Sequence, residues 1–150
     1  METREAAARW ARIWHDAWQA RDTEAVVMLY APDAQFSTEA FRDPYHGQDG
    51  VRRYVAQAFS EERDPRVWVG EPIVMGDRAA IEWWAAVVEN DVAITLAGCS
   101  VLRFDAAGLV TEAEPHLQKA ATLFDELGLD AEAEAVRGEL AMGETKIAFD

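Results

Sequence analysis

A single cysteine, Cys99, stands in 150 residues, so the chain can form no internal disulfide. It falls inside an apolar, strand-like stretch, which suits a small buried hydrophobe. Histidine is almost as scarce. His15, His46 and His116 are the whole set, and they sit in different expected elements, so no zinc centre is spelled out. Basic residues are outnumbered, 14 Lys and Arg against 28 Asp and Glu, for a net charge of −14. A nucleic-acid partner needs clustered Lys and Arg to meet phosphates; the deficit argues against one, and equally against an anionic membrane surface. No apolar run approaches the roughly 20 residues a membrane-spanning helix needs. The N-terminus is amphipathic and lacks the apolar stretch and cleavage site of a secretion signal. A cytoplasmic protein is expected. Nor is there a glycine-rich phosphate loop, a nucleophile elbow or a zinc-protease helix, so no cofactor and no metal are implied.

What the chain does have is apolar mass: half its residues are hydrophobic and six are Trp. At this length one domain can bury a proper core. An indole carries an N–H that needs a partner, so several Trp suit the wall of a cavity, with ordinary core packing as the alternative. Trp10, Ile13, Trp14, Ala17 and Trp18 fall on one helical stripe. Asp22 can cap a second helix that turns Val26, Leu29 and Tyr30 inward and stops at Pro32-Asp33. A short strand over 34–38 follows. Asp49 can then cap a third helix striped by Val51, Tyr54, Val55, Ala58 and Phe59, which Asp64-Pro65 breaks. Beyond it, residues 66–75, 78–88, 92–104 and 109–117 read as strands. Gly76-Asp77, Asn90-Asp91 and the stretch 105–108 supply hairpin turns between them.

This order predicts an α+β cone over residues 1–117, three helices packed in the hollow of a curved antiparallel sheet. Residues 118–150 read as a helical extension, with Leu117, Ala120, Ala121, Phe124 and Leu127 as a stripe ended by Gly128. A lid over the cone's mouth, an interface with a partner and a solvated tail all fit it.

Hairpin pairing assigns faces. If Glu89 opposes Val92, then Ser100 opposes Ile81, Gly98 opposes Trp83 and Leu96 opposes Ala85. If Phe104 opposes Leu109, Ser100 also neighbours Ala113. Ile81, Trp83, Ala85, Val87, Ile94, Leu96, Ser100, Leu102, Thr111, Ala113 and Pro115 then share the concave face. Glu82, Trp84, Cys99, Glu112, Glu114 and His116 share the outer one, which turns an apparent acid–base cluster away from the pocket. The polar loop Glu39, Arg42, Asp43, Tyr45 and His46 remains. Asp43 and His46 could act there as base and acid where water is excluded. Alternatively the loop is a turn begun at Asp43-Pro44, with Arg42 neutralising Asp43.

The segments DTEAVVMLYAPDAQF, HGQDGVRRYV and LRFDAAGLVTE, in this order, resemble the nuclear-transport-factor-2-like superfamily, in its SnoaL-like branch, across about residues 5–117. The resemblance implies the cone fold, and a superfamily of ketosteroid isomerases, epoxide hydrolases, cyclases, dehydratases and non-catalytic binding modules. The isomerases' oxyanion-binding Tyr falls on Trp14, their general-base Asp on Thr38 and their second oxyanion donor on Ser100. The epoxide hydrolases' Arg and two Asp fall on Trp83, Ala85 and Pro115, with Glu114 and His116 beside the last. The isomerase mechanism is therefore not expected.

The expectation is a pocket for a small hydrophobic organic molecule. Trp14, Trp18, Tyr54, Trp83 and Leu96 form its walls, and Thr38 and Ser100 are its orienting hydroxyls. Proton-transfer chemistry of an isomerase, cyclase or dehydratase type, with Asp43 as base and His46 as acid, is one use of it. The alternative is a non-catalytic ligand-binding or dimerisation module, a homodimer formed through the outer sheet face around Trp84.

Overall fold

The N-terminal stripe becomes α1 (Thr3–Ala20), which buries Ala6, Ala7, Trp10, Ala17 and Trp18 along one side. Arg21 ends it in the left-handed region, φ 56°, and the chain reverses into α2 (Thr23–Val27). The Asp22 carboxylate accepts from the Ala25 amide at 3.0 Å and so caps α2. The computed structural model describes residues 1–38, 43–89 and 91–119.

The second helix stops at Val27, not at Pro32. Pro32 lies inside the first strand, β1 (Tyr30–Phe36), which starts four residues earlier than its β pattern suggests. Its neighbour shifts register between Tyr30 and Gln35, so the missing proline N–H falls in a break of the ladder. Next come β2 (Tyr45–His46) and α3 (Gly47–Glu61). His46 occupies the N-cap without a side-chain hydrogen bond. Asp49, expected as the cap, lies within the first turn and pairs with Arg52 instead.

β3 (Glu62–Val69) follows α3 directly, with Asp64 at φ 50° and a register shift between Arg63 and Arg66. A bulge thus absorbs Asp64-Pro65, which sequence alone reads as a break before a strand. Residues 70–72 then separate β3 from β4 (Ile73–Met75), where one strand was expected. β5 (Arg78–Glu89) and β6 (Val92–Phe104) pair in the anticipated register, Ile81 with Ser100, Trp83 with Gly98 and Ala85 with Leu96.

β7 (Val110–Lys119) does not pair as expected. Phe104 opposes Val110, a bulge follows, and Ser100 faces Pro115 rather than Ala113. The turn explains it. Asp105 bonds Leu109 twice, backbone N–H to carbonyl at 2.9 Å and Oδ1 to the Leu109 amide at 2.8 Å, which keeps Leu109 in the turn. Val110 is therefore fully buried, while Thr111, expected on the concave face, turns its hydroxyl to the Arg103 carbonyl at 3.3 Å.

The sheet order is β2-β1-β7-β6-β5-β3, with β4 beside β5. Among the described residues all strand pairs are antiparallel except β1 with β7, which is parallel. α1, α2 and α3 fill the hollow of this sheet over a core that includes Tyr30, Val51, Ile81, Leu102 and Val110. β7 runs on to Lys119, so the helical extension expected over 118–150, with Leu117 opening its stripe, does not begin there; the rest of it, residues 120–150, lies outside the described residues. Among the described residues no helix is long and apolar enough to cross a membrane.

Candidate functional site

Between α1, α3 and the concave face of β3, β5 and β6 lies a cavity of about 430 Å³. Its walls are aromatic for a simple reason. The helical period sends Trp10, Trp14 and Trp18 to one side of α1, and the strand period sends Trp83, Ala85 and Val87 to one side of β5. All seven side chains named from sequence as walls or orienting hydroxyls border this one space: Trp14, Trp18, Thr38, Tyr54, Trp83, Leu96 and Ser100.

The three indoles of α1 form a ladder. Trp10 and Trp14 have centroids 5.1 Å apart, and Trp14 stacks on Trp18 at 4.6 Å with planes 12° apart. Phe36 and Tyr54, centroids 4.9 Å apart, build another part of the wall, with Tyr45 against Tyr54 at 5.7 Å. Trp10 Nε1 donates to the fully buried Tyr30 hydroxyl at 3.4 Å. Burial raises the Tyr30 pKa far above that of an ordinary phenol, an effect larger than the opposing help from the two indole N–H groups, so this hydroxyl stays neutral. Trp14 Nε1 leans on the same oxygen without reaching hydrogen-bond geometry and is buried with no other partner among the described residues.

On the sheet side, Trp83 Nε1 donates to Ser100 Oγ at 3.1 Å. The two face each other diagonally across β5 and β6, and Ser100 is only 5% exposed. The bond orients the Trp83 indole and leaves the serine proton able to donate.

One end of the cavity differs in kind. Glu61, Glu62 and Glu89 border it, and they are the only charged side chains among the described lining residues. Glu62 and Glu89 oppose each other at the start of β3 and the end of β5. Trp18 Nε1 donates to Glu62 Oε2 at 2.9 Å. Arg21 donates to the backbone carbonyls of Phe59, at 2.8 Å, and of Glu62. Burial raises the Glu62 pKa; the Trp18 N–H opposes this, Glu89 adds to it, Arg21 opposes it and Glu61 adds again.

These glutamates were missed in the sequence. Glu89 was within reach, because it continues the inward parity of Ala85 and Val87. Glu62 was not, since a residue before Asp64-Pro65 reads as the last turn of a helix.

Asp43 and His46, the acid–base pair nominated from sequence, are both exposed and neither borders the cavity. Only Tyr45, between them, reaches it. The outer-face assignment puts Glu82, Glu112 and Glu114 in solvent, with Glu112 held by Arg103 at 3.1 Å. The positions matching the isomerase residues, Trp14, Thr38 and Ser100, all border the cavity, and none is a carboxylate. Among the described residues no group of His, Cys, Asp and Glu is arranged to hold a metal ion.

The fold has many solved counterparts. A protein with a ketosteroid-isomerase-like fold from Catenulispora acidiphila DSM 44928, solved in complex with trimethylamine, superposes with a TM-score of 0.65 at 16% identity. That match covers 78% of this chain and 90% of that one. An NTF2-like protein of unknown function from Burkholderia pseudomallei K96243 matches at 0.67 and 22% identity, over 82% and 96%. Another, from Exiguobacterium sp. 255-15, matches at 0.64 and 15%, over 75% and 98%. Comparison with curated proteins returns no match. The family model described as a SnoaL-like domain matches residues 11–113, a span running from α1 through the cavity wall to Ala113. The chain belongs to the SnoaL-like domain family.

Proposed function

We propose that the protein binds a small, flat, hydrophobic organic molecule in the cavity between α1 and the sheet. The observation that carries this is the lining itself: eight aromatic side chains around about 430 Å³, with hydroxyls at Thr38, Tyr30 and Ser100. Sites for small ligands have this composition, mostly apolar walls with a few placed polar groups. Trp14, Trp18, Tyr54, Trp83 and Leu96 are the walls. Tyr30, neutral and fully buried, joins Ser100 and Thr38 as an orienting donor. Asp43 and His46 stay outside this reading because they cannot touch a molecule held there.

The neutral dye 1-N-phenylnaphthylamine tests the reading. It should brighten on binding, quench Trp emission, and bind at least tenfold more weakly to Leu96→Trp, where an indole occupies the space. Absence of binding, or binding indifferent to Leu96→Trp, would remove the cavity as a ligand site.

A second reading rests on the outer sheet face. Trp68 and Trp84 oppose each other across β3 and β5, and Trp68 is 42% exposed. Ala86, Val88, Ala93 and Ala97 continue the same face. We propose that a second copy of the chain covers it, since large aromatics on a sheet face mark interfaces. In size-exclusion chromatography at about 0.15 M sodium chloride, where charge repulsion is screened, Trp84→Glu should elute later than the wild-type dimer; a wild-type monomer at that salt rejects the reading.

A further inference from the structure

We propose that the molecule this cavity takes is an organic cation, an alkyl- or arylammonium, with its charged head between Glu62 and Glu89 and its apolar body along the aromatic wall. The inference rests on the cavity being a ligand site and adds the class of ligand.

Four observations lead to it. The charged groups among the described lining residues are all of one sign: Glu61, Glu62 and Glu89, with no Lys, Arg or His. An anion entering this space would meet repulsion and no lining counter-charge, and a neutral molecule would leave the partly buried Glu62 carboxylate without a positive partner. Secondly, Glu62 and Glu89 stand directly opposite across β3 and β5, an arrangement that destabilises a sheet unless something positive lies between the two. No basic side chain makes an ion pair with either among the described residues. Arg21 directs its donors to backbone carbonyls, and Arg63, on the other face of β3, pairs with Asp91.

Thirdly, the Trp18 N–H fixes the Glu62 carboxylate at the cavity's edge through one oxygen, which leaves the other with full acceptor capacity for an ammonium. Finally, the walls are π-faces. Aromatic rings carry negative potential on their faces and attract organic cations most strongly where water is excluded. The Trp83 ring borders the cavity, is tethered by Ser100 and stacks on no other ring among the described residues.

Protonation follows from the same contacts. Glu62 is faced by Glu89 from β5, Glu61 from the end of α3, and Trp18 and Arg21 from α1 and its C-cap. A bound cation favours the ionised carboxylate. Affinity for a cation that does not itself titrate therefore rises with pH through the Glu62 transition, which burial moves upward.

The test compares two isosteres of opposite character on the full chain, benzyltrimethylammonium and the uncharged neopentylbenzene, followed by Trp quenching and calorimetry. The cation should bind about tenfold more tightly, equivalent to about 1.4 kcal/mol. That preference should shrink to about twofold or less in Glu62→Gln/Glu89→Gln, whose side chains keep the hydrogen-bonding shape. Glu82→Gln removes the same charge from the outer face and should leave the preference intact, which separates the site from the protein's general attraction for cations. Should the double variant fail to fold, the rise of wild-type affinity for benzyltrimethylammonium from pH 4 to pH 8 decides. If neopentylbenzene binds as tightly as the cation, or the preference survives both Glu→Gln changes, the cation inference is overturned while the cavity remains a ligand site. If neither probe binds, both readings fall together.

Discussion

Glu62 is the residue where folding and ligand binding pull in different directions. Its carboxyl is partly buried against Trp18, and its pKa lies above the ordinary value of 4.5, chiefly because burial disfavours the charge. A raised carboxyl pKa means that the folded state prefers the proton. The associated stability is full below the unfolded pKa and is lost as pH rises through the folded one. Glu62→Gln should therefore match wild type near pH 4 and melt at a higher temperature than wild type at pH 7, in the absence of any ligand. Equal melting temperatures at both pH values would show that the carboxylate is not desolvated. At this scale the sequence was informative where a side chain obeyed a period. The Trp10, Trp14, Trp18 stripe and the inward parity of Trp83 and Ser100 are period effects, and both line the cavity. Glu62 obeys none, because it sits where helical spacing changes to strand spacing within one residue.

Among the elements, α3 depends on one position at its entry. Gly47 holds φ 62°, and a Cβ there would lie 2.6 Å from the Pro32 carbonyl oxygen of β1. Gly47→Ala thus meets both backbone strain and a steric clash, and should destabilise the fold by roughly 1–3 kcal/mol, read from urea unfolding midpoints. A change within about 0.3 kcal/mol would mean that α3 and β1 can separate freely. The legibility of the strands follows from their turns. Only two residues separate Glu89 from Val92, and that spacing gives the whole β5–β6 register correctly. The turn before β7 is longer, and the Asp105 carboxylate decides which residue leaves it. Counting from Phe104 therefore misplaces Ser100's neighbour by two, though the even error preserves the face of Ala113. Pro32 and Pro65 misled for a related reason. Each reads as a terminator, and each lies at a register shift inside a strand.

For the whole molecule, charge and shape act on different surfaces. A net charge of −14 makes two copies repel at long range, while Trp68 and the apolar positions around it favour contact at short range. Salt screens the first and hardly touches the second, the Debye length falling from about 30 Å at 0.01 M to about 8 Å at 0.15 M. Sedimentation should accordingly shift from monomer toward dimer as sodium chloride is raised across that range, with Trp84→Glu remaining monomeric throughout. Monomers at every salt concentration would remove the interface. The cone itself was legible from the order of its elements; the one parallel pairing was not, because no turn connects β1 to β7 and no local signal records it. That pairing governs how the molecule comes into being. β1 ends at Phe36, and its main neighbour does not begin until Val110, so most of the chain must emerge from a ribosome before the early strand is flanked. The wall bearing Phe36 can be completed only late, and refolding should be paced by the search for this one distant strand rather than by the quick central hairpin.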